Sequence, residues 1–237
     1  MYTDNGFWDT FRAVHPLFTL LYPEVSERVT QSILNAYDES GFMPEWASPG
    51  HRECMIGNNS ISLLTDAWMK GIRTICPEKA LEAMIHQTEA RHPGISSVGR
   101  DGFGYYDRLG YVPYPEVHEA TAKTLEYAYA DWCVARFADS IGRKEIADTY
   151  YRKALNYRNL YYPDYGFMWA KDANGKWRDA FDATEWGGPF TEGSSWHWTW
   201  SVLHDPEGLS RLMGGHTAME ARLDSMFTAP VSYTHLR

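Results

Sequence analysis

From Pro115 onward, apolar or small residues recur at Val117, Thr121, Leu125, Ala128, Trp132, Ala135 and Ala138, and the run ends at Gly142. Only a helix of 3.6 residues per turn gathers that spacing on one side, with proline at its start and glycine past its end. Ala147, Tyr150, Ala154, Tyr157 and Leu160 repeat the spacing at once, so the two segments predict an antiparallel helical hairpin across a turn at Gly142-Arg143. The same reading predicts helices over Thr10–Leu21, Pro23–Ser40, Ser60–Ile72, Pro77–Arg91, Ser195–His204 and Thr217–Phe227. One place reads as strand. Gly166-Phe-Met-Trp-Ala-Lys171 and Lys176-Trp-Arg178 flank an Asn174-Gly175 pair, a strong hairpin signal. The expected class is all-α, helix pairs stacked as part of an α/α toroid, with one small inserted β-hairpin.

Composition narrows the function. With 22 basic against 31 acidic residues and a net charge of −9, and no clustered basic face, a nucleic-acid partner is not expected. The apolar runs are too short to cross a bilayer, so no membrane partner is expected either. Cys54, Cys76 and Cys133 stand far apart with no C-x-x-C pair, which implies neither a disulfide framework nor a zinc knuckle and reads as core cysteines. Tyr2-Thr3-Asp4-Asn5 has neither the basic nor the apolar region of a signal peptide.

Three long connections, Gly41–Asn59, His92–Pro115 and Tyr162–Ser194, collect the aromatics and carboxylates, and long ordered loops are where function concentrates. Gly99-Arg-Asp-Gly-Phe-Gly104 lacks the flanking strand and helix of a phosphate loop and reads as a flexible loop. Asp172-Ala-Asn-Gly-Lys176 opens like a calcium loop but puts lysine at the fifth position and Ala183 where the closing glutamate belongs. Ser194, His197 and Asp205 lack a nucleophile elbow, and Asp66 reads as a satisfied helix acid. The informative run is Glu185-Trp-Gly-Gly-Pro-Phe-Thr-Glu192-Gly-Ser-Ser-Trp196-His-Trp198-Thr-Trp200, with Phe7-Trp8-Asp9-Thr10 as a second pairing of acid and indole. Sugar sites have this composition, because C–H faces stack on indoles while carboxylates accept hydroxyl hydrogen bonds. A glutamate half-buried by such rings has its acid form favoured, as a glycosidase proton donor requires. Tryptophans at i and i+4, such as Trp196 and Trp200, equally read as core.

Gly6-Phe-Trp-Asp-Thr-Phe-Arg-Ala-Val-His-Pro-Leu17, Gly41-Phe-Met-Pro-Glu-Trp46, Gly57-Asn-Asn-Ser60 leading into Asp66-Ala-Trp-Met-Lys-Gly71, and Phe190-Thr-Glu-Gly193 with Leu212-Met-Gly-Gly215 together resemble glycoside hydrolase family 92, the calcium-dependent exo-α-mannosidases. The resemblance runs from Tyr2 to about Thr228. It implies a β-sandwich followed by an α/α six-hairpin toroid, of which residues 1–230 would be the first part, and a mannose-terminated glycan as substrate. It implies inversion, with one carboxylic acid protonating the leaving oxygen while a distant carboxylate activates water. The acid falls on Glu192, and Trp8, Asp9 and Trp196 are the expected mannose-binding residues. Calcium is expected in the intact enzyme, with ligands outside this chain, and a secreted or periplasmic location is implied for that enzyme.

Motifs expected to carry the base and the metal are not found before Arg237, nor is the β-sandwich. The chain therefore reads as an internal piece of a catalytic domain, inactive alone, its partners the missing sandwich and the remaining toroid helices. Val231–Arg237 resembles a translated sequencing adapter and reads as a non-native tail. A different class stays open: a non-catalytic helical glycan-binding or scaffold module.

Overall fold

The computed structural model describes residues 6–47 and 50–228. The segment Val231–Arg237 set apart above lies outside them. Among the described residues eleven helices and one two-stranded hairpin follow in order: α1 Phe7–Thr10, α2 Val14–Leu21, α3 Pro23–Ser40, α4 Asn59–Met69, α5 Pro77–Glu89, α6 Phe103–Leu109, α7 Ala120–Ser140, α8 Lys144–Lys153, β1 Tyr161–Tyr162, β2 Phe167–Met168, α9 Ser195–Trp198, α10 Pro206–Met213 and α11 His216–Thr228. A 3₁₀ turn over Asn156–Leu160 precedes β1. The all-α expectation holds. Contacts divide the chain into two compact units, one made of residues up to Phe103 with Glu126–Ala154, the other of Gly104–Leu125 with residues from Leu155 onward.

In the first unit, α3 keeps its predicted bounds because both ends are chemically marked. Pro23 fixes φ at the start, and Gly41 at φ +81° takes the left-handed turn that ends it, its N–H returning to Tyr37 O at 2.7 Å. Ser26, Thr30, Ile33 and Leu34 form its buried stripe. Ile33 and Leu34 join Ile61 and Leu64 of α4, Ala80 and Met84 of α5, and Val134, Phe137 and Ala138 of α7 in one apolar cluster. Each fully buried aliphatic there contributes roughly 1.5–3 kcal/mol. Beyond the turn at Gly142, Ala147 and Tyr150 of α8 enter the same cluster. Of the cysteines only Cys133 is core; Cys54 is half-buried and Cys76 exposed.

The long helix differs from its sequence reading in two ways. It starts at Ala120 rather than Pro115, because Glu119 sits at φ +57° and residues 113–117 form a turn closed by Val117 N–H to Pro113 O. It is also buried almost all round. Lys123, Glu126 and Asp131 lie inside with the apolar stripe, so α7 is a central helix rather than an amphipathic surface one. Asp131 is fully buried, and its Oδ1 meets Arg100 Nη1 at 2.8 Å. Arg100 also donates to Asn58 Oδ1 at 2.7 Å and Tyr127 O at 3.2 Å.

In the second unit the hairpin is displaced from its expected place. Its ladder pairs Tyr161 with Met168 and Tyr162 with Phe167. The Asn174-Gly175 turn closes only a single bridge, Lys171 to Trp177, because Asp172 Oδ1 accepts from the N–H of Asn174 and Lys176 and winds the chain too tightly for a longer ladder. Helices α6 and α10 were not foreseen, although Asp205-Pro206 and Gly214 mark the ends of α10. The expected Ser195–His204 helix stops at Trp198.

Removing one partner of a buried ion pair strands the other charge. Asp131→Ala is expected to lower unfolding stability by about 3–5 kcal/mol, seen as a fall in the urea midpoint; a loss below about 1 kcal/mol would show that Arg100 is satisfied without it.

Candidate functional site

Besides Asp131, two carboxylates of the first unit are buried, Glu45 and Glu126, neither of them in the expected sugar-binding set. Glu45 lies in the Gly41–Asn59 connection and is 5% exposed. Ser60 donates to it through its backbone N–H (3.1 Å) and its hydroxyl (2.8 Å), and Gln87 Nε2 donates at 3.2 Å. Burial pushes its carboxyl up to about 8, and these donors offset only part of the desolvation. The Glu45 carbonyl accepts from Phe7 N–H at 3.0 Å, and Gly6 packs against the Trp46 ring so closely that no side chain would fit. These contacts fix the start of α1 and with it Trp8 and Asp9.

Glu126, from α7, is the second. Desolvation raises its carboxyl to about 7, opposed by the Arg12 guanidinium and the Trp8 side chain. Gly57, at φ +89°, makes room for it: a Cβ there would stand 2.7 Å from Glu126 Oε2 and 2.8 Å from Asn59 Nδ2. Arg12 lies 4.7 Å from the Trp8 ring and 4.6 Å from the Phe11 ring. Trp8 is half-buried and Asp9 exposed.

Glu192 and Trp196 belong to the second unit. Glu192 is exposed, not half-buried by rings, and its backbone is at φ +45°, a left-handed conformation that costs a non-glycine residue roughly 1–2 kcal/mol. Neighbouring bonds impose it. Gly187 N–H donates to Gly193 O at 2.8 Å, and Trp198 Nε1 donates to Thr191 O at 2.8 Å. A Cβ on Gly193 would sit 3.0 Å from Trp198 Nε1. Earlier in the loop, Arg178 grips Glu185 with both ends of its fork, at 2.7 and 2.8 Å. Trp196 packs edge-on against Phe167 at 4.7 Å, with Arg222 6.0 Å from its ring. Trp200 lies beyond the end of α9, so the two do not share a helix face.

The weaker candidates resolve into structure. Asp66 pairs with Lys70 one turn on, at 2.7 Å. Ser194 and His197 form the capping box of α9, while Asp205 caps α10 and binds Tyr157 and Arg158. The Gly99–Gly104 segment is anchored rather than loose, because Arg100 is inserted in the core. Among the described residues, no three His, Cys, Asp or Glu side chains are grouped to hold a metal ion.

Comparison with known proteins decides the family. The sequence matches the glycosyl hydrolase family 92 catalytic domain over residues 1–235. The chain belongs to glycoside hydrolase family 92. Among solved structures it is similar to a family 92 inverting mannosidase from Bacteroides thetaiotaomicron, at 82% identity and a TM-score of 0.95, over 99% of this chain and 32% of that one. It is also similar to a family 92 α-mannosidase of the same bacterium solved with mannoimidazole, at 32% identity and a TM-score of 0.90, over 98% of this chain and 31% of that one. An uncharacterized secreted glycosidase of Arthroderma benhamiae is 26% identical over 234 residues, covering 85% of this chain and 30% of the relative. The chain thus spans about a third of the length of these relatives.

Sequence reasoning missed Glu126 because on a helical wheel it falls among residues taken for a solvent face. Glu45 stands within Gly41-Phe-Met-Pro-Glu-Trp46, where nothing in the spacing marks it as buried.

Two predictions follow from these environments. A carboxyl raised on folding contributes stability that is fully present below its unfolded value of 4.5 and lost as pH rises through about 8. The urea midpoint is therefore expected to fall between pH 5 and 8, and Glu45→Gln to flatten that fall. Because only glycine is unstrained at φ +45°, Glu192→Gly is expected to be about 1 kcal/mol more stable than Glu192→Ala, measured by the same titration.

Proposed function

We propose that residues 1–230 are the first part of the toroid of an inverting, exo-acting α-mannosidase, with Glu192 as proton donor and Trp8, Asp9 and Trp196 shaping the mannose site. Family membership and the mannosidase relatives support the reaction class. The observation that carries the assignment of Glu192 is its held left-handed backbone: an exposed glutamate kept in a costly conformation by bonds from Gly187 and Trp198. Such strain persists where the surroundings over-determine it, and it gathers at functional sites.

In this reading Glu192 gives its proton to the leaving oxygen as the glycosidic bond breaks. A second carboxylate on the opposite face of the sugar takes a proton from the attacking water. Asp9 accepts sugar hydroxyls, and the indoles cover C–H faces. Calcium, when bound in the intact enzyme, supplies Lewis-acid and template chemistry, with ligands outside this chain. The base lies outside it too.

The test is mannose release from an aryl α-mannoside. The 237-residue chain is expected to show no turnover, while the parent enzyme carrying Glu192→Gln is expected to lose about 10²–10⁴-fold on a mannoside with a sugar leaving group. Turnover by the short chain would place the base within it, and an unaffected parent variant would remove Glu192 from the role.

A further inference from the structure

Two of the long connections of the first unit meet along a seam with no part in the proposed sugar site. Ser97 Oγ donates to Arg52 O at 3.3 Å, Ser96 donates to Glu53 Oε1 through its N–H (3.3 Å) and its hydroxyl (2.6 Å), and Cys54 N–H donates to Ser97 Oγ at 3.2 Å. At one end His51 and His92 bring their rings to 5.6 Å. Phe42 packs against His92 at 5.2 Å and against His86 of α5 at 5.0 Å. Arg52 N–H also donates to Trp46 O at 3.0 Å, so the seam borders the ring on which Gly6 closes ahead of α1.

Hydrogen bonds hold both imidazoles as neutral Nε2–H tautomers. Ser40 has one hydroxyl proton and faces the carbonyls of Ala36 at 2.7 Å and Phe42 at 3.0 Å, so it accepts from His51 Nε2–H at 2.8 Å. That leaves His51 Nδ1 a bare lone pair, buried and without a hydrogen-bond partner. His92 Nδ1 accepts from Gly94 N–H at 3.1 Å. A second proton must therefore enter at a nitrogen that is buried in one ring and already taken in the other. It gives His51 an unpaired buried N–H, breaks the Gly94 bond at His92 and, with both rings charged, sets two cations side by side. The neighbouring charges are engaged elsewhere. Glu53 is turned to Ser96, Arg52 lies 5.6 Å from the Trp46 ring, and Arg91 pairs with Asp101 at 3.0 Å. From α3, Tyr37 donates to Glu82 at 3.4 Å and Asp38 pairs with Lys79, while α5 adds a further imidazole, His86.

We propose that the His51–His92 contact is an acid-released clasp: protonation opens the seam between the two connections while the helices beneath stay folded. Burial, and then the adjacent His92 ring, hold the His51 imidazole below its ordinary value. A base so shifted contributes stability that is present above that ordinary value, about 6.5, and is lost as pH falls below it. Opening of this kind is local, confined to a segment tied by few bonds.

The test is amide exchange, read by NMR in the 237-residue protein between pH 7 and pH 5, each rate divided by its intrinsic value. Protection of the Arg52, Cys54 and Ser96 amides is expected to fall about tenfold over that range, in step with titration of the His51 and His92 ring protons, while the α4 and α5 amides keep theirs. In the double variant His51→Gln, His92→Asn, side-chain amides take over the bonds to Ser40 and from Gly94 but cannot titrate. Its protection at pH 5 is expected to match that at pH 7. Undiminished protection in the parent chain at pH 5, or an equal loss in the double variant, overturns the clasp. Should the double variant not fold, the parent chain decides alone: a loss that follows carboxylate titration below about pH 4.5, rather than the ring protons, overturns it as well.

Discussion

A guanidinium inside the first unit organises the polar part of that unit. Arg100 binds Asp131 and the Tyr127 carbonyl on the central helix and the Asn58 amide ahead of α4, and Asn58 Nδ2 donates back to Gly99 O at 3.0 Å. The pair gains little net energy over an apolar replacement, since desolving two charges costs about what their attraction returns. What it supplies is register. With Asn58 tied to α7, Gly57 faces Glu126, Ser60 reaches Glu45, and the Glu45 carbonyl receives Phe7. Trp8 and Asp9 are therefore set by a chain of hydrogen bonds that begins at an ion pair.

The carboxylates along that chain show how surroundings decide chemistry. Glu45 takes hydrogen bonds from Ser60, Gln87 and Asn59, and burial outweighs them. Glu126 has a cation and an indole, and burial still wins by a smaller margin. In the second unit Glu185 is held in a bidentate pair by Arg178, whose guanidinium lies 5.1 Å from the Trp169 ring and 5.5 Å from the Tyr114 ring. A carboxylate so paired is held as a hydrogen-bond acceptor, whereas Glu192 is exposed.

Sequence made helices legible where an end marker accompanied a long apolar stripe; α10 carries a marker at both ends but is only two turns long and stayed hidden. Pro23 with Gly41 and Pro77 gave bounds within a residue or two, whereas Pro115 misled because proline also starts turns. The burial of α7 was illegible for a physical reason: periodicity separates apolar from polar positions, and this helix buries both. Glu126 and Asp131 became visible only once their partners, distant in sequence, were in place. Glu192 could be singled out from its neighbours, but its strain comes from bonds between Gly187, Gly193, Thr191 and Trp198, which spacing does not encode.

The tryptophans had two readings, core or sugar platform, and the structure adds a third use. Buried loop carbonyls need donors that no helix supplies. Trp169, with no exposed surface, donates its indole N–H to Arg178 O at 2.9 Å, and Trp198 donates to Thr191 O. Trp68 Nε1 donates instead to a side chain, the Ser140 hydroxyl at the end of α7, at 2.9 Å. An indole is large enough to fill the space beneath an irregular loop and carries one donor with which to pin it. That explains how the Tyr162–Ser194 connection stays ordered with almost no secondary structure, and why aromatics accumulate where the backbone is irregular. It also sets the order of dependence: Trp169 fixes Arg178, Arg178 fixes Glu185, and the loop that follows can then hold Glu192 in a conformation it would not adopt alone.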